Sequence, residues 1–534
     1  TENTKLCTAG PGCISQPPSA TSVSMECNSR TTRSLRNSVV ALSFFGIEFL
    51  LKFYSRKIFL DYLGTEILGL NTTATNLLQF LNLAELGIGA AVGFTLYKPI
   101  CDKDKECINE IISLQGHLYR RIAFAVMLGA LALMVFFPWI FAKTDLPLWY
   151  AYGSFSVMLF SALLSYFITY KQVILTASQL DYKVQFGYRS WMILKVVCQT
   201  VAIARLPDPY VWWLVLEAVF AILATVSLER VTRRTFPELK TDAATFRELK
   251  QKYACVIVKV KQIFFHKMSG YILAQTSPII IYAYLSLSAV ALYGNYLMIV
   301  SGVTLLFEAA FNSMTAGIGN LVAEGNKKTI LSVFDELFSL KFLLIAIICF
   351  CTIILTRPFI TLWIGAQYLL PPSTLMLMVG IMYIGMSRTT VESYLNAFGL
   401  YQDIWAPICE AVLNIGLSVL LGYYWGLNGI LTGVLISLTL FAFIWKPIFL
   451  FRCGLQTSIK SYVVLYAKHI VLGVWAVLLW YACRRWITVD PYENWGGFIG
   501  YALCNASVFG TVLASSMLLT RCGIVKFLHR LKNN

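Results

Sequence analysis

Glu48, Lys52 and Arg56 stand four residues apart inside the apolar run "ALSFFGIEFLLKFYSRKIFL" (41–60). On a helix that spacing places one acid and two bases on a single face. Arg388 and Glu392 repeat the spacing within "LMLMVGIMYIGMSRTTVESYLNAF" (375–398). Lys195, Glu217, Lys267, Glu308 and Glu410 stand in other apolar runs, with His266 beside Lys267, and Glu85 lies near the end of the second run. Asn71, Gln79 and Asn82 put three amides on one broad face of that second run. Ionisable groups are rare and costly in apolar surroundings, so each is a candidate for function. Together they could line a polar cavity of mixed charge, in which Lys and Arg hold a phosphate and amides hold hydroxylated groups. The plainer alternative is pairing from helix to helix, with Arg56 extending to the surface.

Other chemistries lack their residues. "CDKDKEC" (101–107) contains Asp-Lys-Asp, a three-residue match to a nucleotide-sugar transferase motif, too short to define a metal site. No phosphate-binding loop of the GxxxxGK[ST] type occurs, nor a potassium-filter sequence. Four scattered histidines and 14 cysteines without a CxxC pair give no metal site or disulfide framework. Asn71-Thr-Thr is a formal glycosylation triplet inside an apolar run, where it reads as accidental. Trp139, Trp149, Trp212, Trp213 and Trp363 fall at the ends of apolar runs, as an interfacial belt would place them.

The elements that must position these residues are apolar throughout. The chain is 58% hydrophobic and 13% charged, with a mean hydropathy of +0.68; a soluble domain carries about 25% charged residues. Runs long enough to cross a hydrocarbon core of roughly 30 Å recur from end to end. The pattern predicts about 14 helical spans, at 37–59, 66–97, 118–141, 149–171, 189–206, 210–229, 263–285, 289–322, 338–357, 373–398, 403–424, 427–451, 462–484 and 497–520. Short alternating strands, which a membrane barrel needs, are not seen. The net charge of +16 does not mark a nucleic-acid binder, because Lys and Arg concentrate in alternate loops. Only Arg56, Lys57, Lys143, Arg205, Arg357, Arg484 and Arg485 fall on the other side. That bias predicts that both termini are cytoplasmic.

Residues 1–36 are polar and rich in Ser, Thr, Gly and Pro, and read as a disordered cytoplasmic tail; residues 1–24 precede the first Met and read as an upstream extension. The longest polar connection, 230–262, is basic and reads as a partly helical cytoplasmic linker on anionic headgroups. It divides a six-helix bundle (37–229) from a second (263–451), with 452–534 adding two helices and a cytoplasmic end. The halves repeat one phrase. "LGIGAAV" (86–92) and "AGIGNLV" (316–322) each close a long span just before a charged loop. Both copies run in the same direction, so the repeat is parallel, with a substrate path expected between the halves. Gly87, Gly89, Gly93, Gly317 and Gly319 are expected to let helices approach closely.

The stretch "RKIFLDYLGTEILGLNTTATNLLQFLNLAELGIGAAVGFTLYKP" (56–99) resembles the start of the bacterial polysaccharide-biosynthesis transporters. These are the Wzx-like O-antigen and capsule flippases of the multidrug/oligosaccharidyl-lipid/polysaccharide exporter superfamily. "IFFHKMSGYIL" (263–273) and "AVALYGNYLMI" (289–299) resemble the start of that family's second half, and the likeness covers roughly residues 30–450. It implies two six-helix bundles opened alternately to either side of a bacterial cytoplasmic membrane. It implies as cargo an oligosaccharide on a polyprenyl diphosphate, destined for lipopolysaccharide or capsule, with no enzymatic activity and no cofactor. The expected partners are this lipid-linked substrate, membrane lipids and, where transport is coupled, H+ or Na+; the chain is expected to act as a monomer. Relatives often carry an acid or amide where this chain has Ser277-Pro278, so no coupling residue is carried over. The alternative within the same architecture is a cation-coupled multidrug exporter, with Glu48 or Glu308 as the main cavity charge.

Overall fold

The structure is a computed structural model. It describes the backbone of residues 20–85, 87–241, 244–312, 314–400, 402–403 and 405–533. Side chains are described from 36 to 530, apart from position 84 and some positions within 255–274, 312–316 and 527–528. The described residues are helical nearly throughout: α1 Ala20–Leu81, α2 Ile88–Asp102, α3 Lys105–Val135, α4 Leu148–Phe167, α5 Ser190–Arg205 and α6 Pro209–Thr235. A linker helix α7, Phe246–Lys252, leads into α8 Ala254–Tyr284, α9 Leu287–Asn312, α10 Met314–Ala323, α11 Lys327–Trp363, α12 Pro372–Ala397 and α13 Trp405–Leu438. The chain ends in α14 Ile459–Cys483, α15 Trp495–Leu519 and α16 Gly523–Asn533.

Among the described residues ten helices are long and apolar enough to cross a membrane. Two of them, Arg36–Leu81 and Trp405–Gly454, run for 46 and 50 residues. At about 1.5 Å per residue that is roughly twice the hydrocarbon thickness. Each is broken by a glycine in a left-handed conformation, Gly64 (φ 78°) and Gly426 (φ 56°), which other residues rarely adopt. Counted as two segments each, and taken with α5 and α8, they are compatible with fourteen crossings. The fold is an all-α integral membrane architecture: two pseudo-symmetric six-helix bundles and two further helices. Side chains such as Leu131, Val471 and Leu503 are more than half exposed in mid-helix, as a lipid-facing surface requires.

α1 begins at Ala20, so the helix already includes residues 20–36; residues 1–19 lie outside the described residues. The linker, partly helical, is also fastened to α3. Asn109 accepts from the Lys240 amide at 2.9 Å, Lys252 pairs with Glu110 at 2.7 Å, and Arg121 lies 3.6 Å from the centre of the Phe246 ring. Thr245 and Glu248 form a capping box that starts α7. The reason is local: the first turns of α3 carry acids and amides that meet the linker's bases before any headgroup does.

The glycines of the repeated phrase behave unequally. A Cβ on Gly87 would come within 3.0 Å of Ile263, whereas at Gly317 and Gly319 nothing lies within 4 Å. The expectation of close approach therefore fails at the second copy. The tightest approach between halves is at Gly69, where a Cβ would fall 1.9 Å from the Leu287 carbonyl oxygen. The second span parts at the 3-10 turn Asn82–Glu85 and resumes at Ile88.

Candidate functional site

Several hydrogen bonds join the two halves at the end away from the linker. The Arg56 guanidinium donates to the Asn295 side-chain oxygen at 2.8 Å and to the Ala291 carbonyl at 3.2 Å. The Thr65 and Ser288 hydroxyls lie 3.0 Å apart, and Lys143 donates to the Ala283 carbonyl. The Trp363 indole donates to the Phe53 carbonyl at 2.9 Å. Trp363 is thus buried at the seam and corrects the expectation of a belt residue; Trp139, 72% exposed, fits that role. A long apolar run ends at Trp363, but its indole finds a carbonyl on α1, which a run-end rule does not anticipate.

Glu48 pairs with Lys52 at 2.8 Å, and Arg189 from the start of the α5 segment approaches the other Glu48 oxygen at 3.6 Å. The Lys52 side chain is 55% exposed. Glu48 and Lys52 therefore share one face, while Arg56 on the same face closes the seam. Asn71 is drawn into the first bundle instead. Its oxygen accepts from Ser154 at 2.7 Å and Tyr210 at 2.9 Å. Gln79 contributes its backbone oxygen to the Tyr271 phenol at 2.5 Å. Asn82 and Glu85 occupy the 3-10 turn that breaks the second span. Glu308 is partly buried, and no basic residue pairs with it among the described residues. The Lys267 and His266 side chains lie outside the described residues. Lys195 and Glu217 pair at 2.7 Å with Gln199 joining at 3.0 Å, a contact internal to α5 and α6.

The densest charge lies in the second bundle. Glu392 meets Lys446 at 2.5 Å and Arg388 at 3.7 Å. Lys341, 4% exposed, donates to Thr389 at 3.2 Å, one turn from Glu392. Glu410, 3% exposed, has one carboxylate oxygen without a hydrogen bond; Lys446, Arg388 and Glu392 are the charged groups that reach it. Three bases facing two acids leave one positive charge in excess. Sequence reasoning found Arg388, Glu392 and Glu410. It did not single out Lys341 and Lys446, which sit at the ends of apolar runs and read as boundary residues. Their signal was the spacing of Lys446 within "FAFIWKPIFLF" (441–451), apolar on both sides.

Beside the seam an apolar cleft of about 740 Å³ opens between α1, α9, α11 and α15. Phe49, Phe53, Val303, Thr352, Phe359 and Phe498 are among its walls. A cleft of that size bounded by four membrane helices can take a hydrocarbon chain and leave a polar head at the seam.

A chain of this hydropathy, with two repeated helical bundles, has the architecture of a multi-pass membrane protein. Compared with known families and with characterised proteins, the sequence matches none. Two solved structures share the fold. One is a multidrug resistance MATE family transporter of the MOP superfamily in an inward-facing conformation, with a TM-score of 0.60 at 14% identity, covering 76% of this chain and 95% of that one. The other is the lipid II flippase MurJ in an inward closed conformation, with a TM-score of 0.61 at 14% identity, covering 91% of this chain and 100% of that one.

Proposed function

We propose that the chain is a flippase of the Wzx-like kind. It moves polyprenyl-diphosphate-linked oligosaccharide units across the bacterial cytoplasmic membrane by alternating access, for O-antigen or capsule assembly. The observation that carries this reading is the apolar cleft of about 740 Å³ beside the seam. A diphosphate cannot cross hydrocarbon unaided. A cargo with a charged head and a long apolar tail needs a polar path between the halves and an apolar slot beside it. Lys52 and the excess positive charge of the Arg388–Glu392–Lys446 cluster suit the head. The flippase likeness also takes in 91% of the chain against 76% for the drug transporter. In this reading both termini are cytoplasmic, the linker faces the cytoplasm and the chain acts as a monomer.

The test is a strain lacking this protein, from which polyprenyl-diphosphate glycans are extracted while surface polysaccharide is stained. Accumulated lipid-linked units with loss of surface glycan, both reversed by the intact chain, support the flippase. Normal levels of both in a strain with no second flippase reject it.

A cation-coupled multidrug exporter is the second reading, favoured by Glu308, an acid without a basic partner among the described residues. Raised drug tolerance in a pump-deficient host expressing the chain, lost in Glu308→Gln, would move the assignment there.

A further inference from the structure

We propose that a cleft between the starts of α11, α14 and α16 binds the headgroup of an anionic phospholipid. The cleft holds about 380 Å³, and Thr457, Ser461, Lys468 and Arg521 are among its walls. Lys468 stands within α14, in the apolar stretch "SYVVLYAKHIVLGVW" (461–475). A base in such a stretch is costly and calls for a polar or anionic partner. Its ammonium donates to the Thr520 carbonyl at 2.7 Å, where α15 ends. An ammonium has three donors, so this bond leaves others for a ligand.

Arg521 is the more telling base. The Cys522 and Arg521 amides donate to the Met517 and Leu518 carbonyls at 3.0 and 3.1 Å, the pattern of a Schellman motif ending α15. Arg521 holds the left-handed position of that motif, with φ 50°. Glycine is the usual residue there, because a Cβ is strained in that conformation. An arginine in its place gives up backbone stability and sets a charged side chain in the cleft. The turn is fixed against α11: a Cβ on Gly523 would fall 2.3 Å from the Asp335 carbonyl oxygen.

The cleft has positive charge to spare. Its one acid, Asp335, is engaged by Lys526 of α16 at 2.9 Å. The side chains of all acids after residue 250 are described, and none pairs with Lys468 or Arg521. The Thr457 hydroxyl oxygen is buried in the wall without a hydrogen-bond partner. Two bases and two hydroxyls around a cavity suit a phosphodiester.

Continuity with the lipid-facing surface makes the occupant a lipid and not a soluble phosphate. Val464 lines the cleft one turn before Lys468. Val464, Val471, Trp475 and Leu478 share the Lys468 face of α14, and each is more than half exposed. That apolar stripe leads from the cleft along the helix, where the acyl chains of a lipid seated at Lys468 would lie. The bound lipid would fasten α14, α15 and α16 to one another, whatever the cargo.

The experiment is thermal unfolding of the purified full chain in detergent micelles doped with phosphatidylglycerol or with phosphatidylcholine of the same acyl chains. Inorganic phosphate at equal ionic strength is the third arm. A saturable rise in Tm with phosphatidylglycerol over phosphatidylcholine is expected, and none with phosphate. Arg521→Gly relieves the turn, so its Tm without added lipid should equal or exceed that of the intact chain. The phosphatidylglycerol needed for half of the rise should increase several-fold in the same variant. Equal effects of the two lipids overturn the proposal, as does an unshifted midpoint in Arg521→Gly. A rise with inorganic phosphate that Arg521→Gly removes would make this a site for the free anion and overturn the lipid. If Arg521→Gly does not yield folded protein, an unshifted midpoint in Lys468→Gln overturns it. None of these readouts involves transport, so a failed flippase assignment leaves this result standing, and the reverse.

Discussion

Arg56 of the first bundle and Asn295 of the second are joined at 2.8 Å, and the same guanidinium reaches the Ala291 carbonyl. A hydrogen bond to a charged group contributes about 1.5–3 kcal/mol. This one spans the seam, so it stabilises the state in which the end away from the linker is closed. Asn295→Ala should therefore shift the population toward opening there. With a single reporter cysteine at Ser288, labelling by a membrane-impermeant maleimide should rise several-fold in Asn295→Ala. An unchanged labelling rate would mean that the bond does not hold the halves together.

Gly69 and the glycines of the repeated phrase make opposite predictions. A Cβ on Gly69 would overlap the Leu287 backbone, which no side-chain rotation relieves. Gly69→Ala should cost about 1–3 kcal/mol, the range for overpacking, or force the halves apart. Gly317→Ala and Gly319→Ala meet open space and should be near neutral. Thermal unfolding of the three variants in one detergent separates these outcomes.

This contrast also marks what the sequence could say. Hydropathy alone predicted about fourteen crossing segments, because a membrane helix must satisfy its backbone internally over a fixed length. The ten long apolar helices among the described residues are compatible with that number. The parallel repeat was legible because both halves end a span in the same phrase. Which glycine touches what was not, since Gly69 meets Leu287 only after two bundles have docked. The face Glu48–Lys52–Arg56 was legible from spacing, but its division into a pair and a seam bond depends on Arg189 and Asn295, far away in sequence. Lys446 was hidden for the same reason: its partner Glu392 lies 54 residues earlier, on another helix.

The charged cluster of the second bundle separates folding from function. Removing one member of this partly buried pair leaves an uncompensated charge and costs less than the roughly 3–5 kcal/mol of a fully buried one, whereas removing both is much milder. Lys446→Met should therefore lower the yield of folded protein, and Lys446→Met with Glu392→Gln should restore much of it. If the cluster serves the cargo's diphosphate, the restored double variant still fails to export glycan. Full export by the double variant would confine the cluster to structure.

The linker gives a prediction in pH. The hydrogen bond from Lys252 to Glu110 raises the lysine above its ordinary 10.5. A raised lysine contributes its stabilisation below the unfolded value and loses it as the pH rises through the folded one. Protease cleavage within 236–253 should therefore increase as the pH climbs past that range. In Glu110→Gln the cleavage should already be fast at neutral pH. Equal cleavage of the two proteins at neutral pH would show that the ion pair does not fasten the linker.

The apolar cleft makes the sharpest demand on cargo. Thr352 and Val303 face it from α11 and α9, and both are small enough that a larger residue would intrude on its volume of about 740 Å³. Thr352→Trp and Val303→Phe add bulk toward empty space, so they should fold with little loss, unlike additions to a packed core. If a polyprenyl tail occupies the cleft, either variant should accumulate lipid-linked glycan at normal protein levels. The defect should ease for a cargo analogue with a shortened prenyl chain, because less of the slot is then needed. A drug exporter has no such dependence: its cargo would be unaffected by tail length, and narrowing the cleft would leave surface glycan intact. Filled-cleft variants that fold and support normal surface polysaccharide would therefore remove the observation on which the flippase assignment rests.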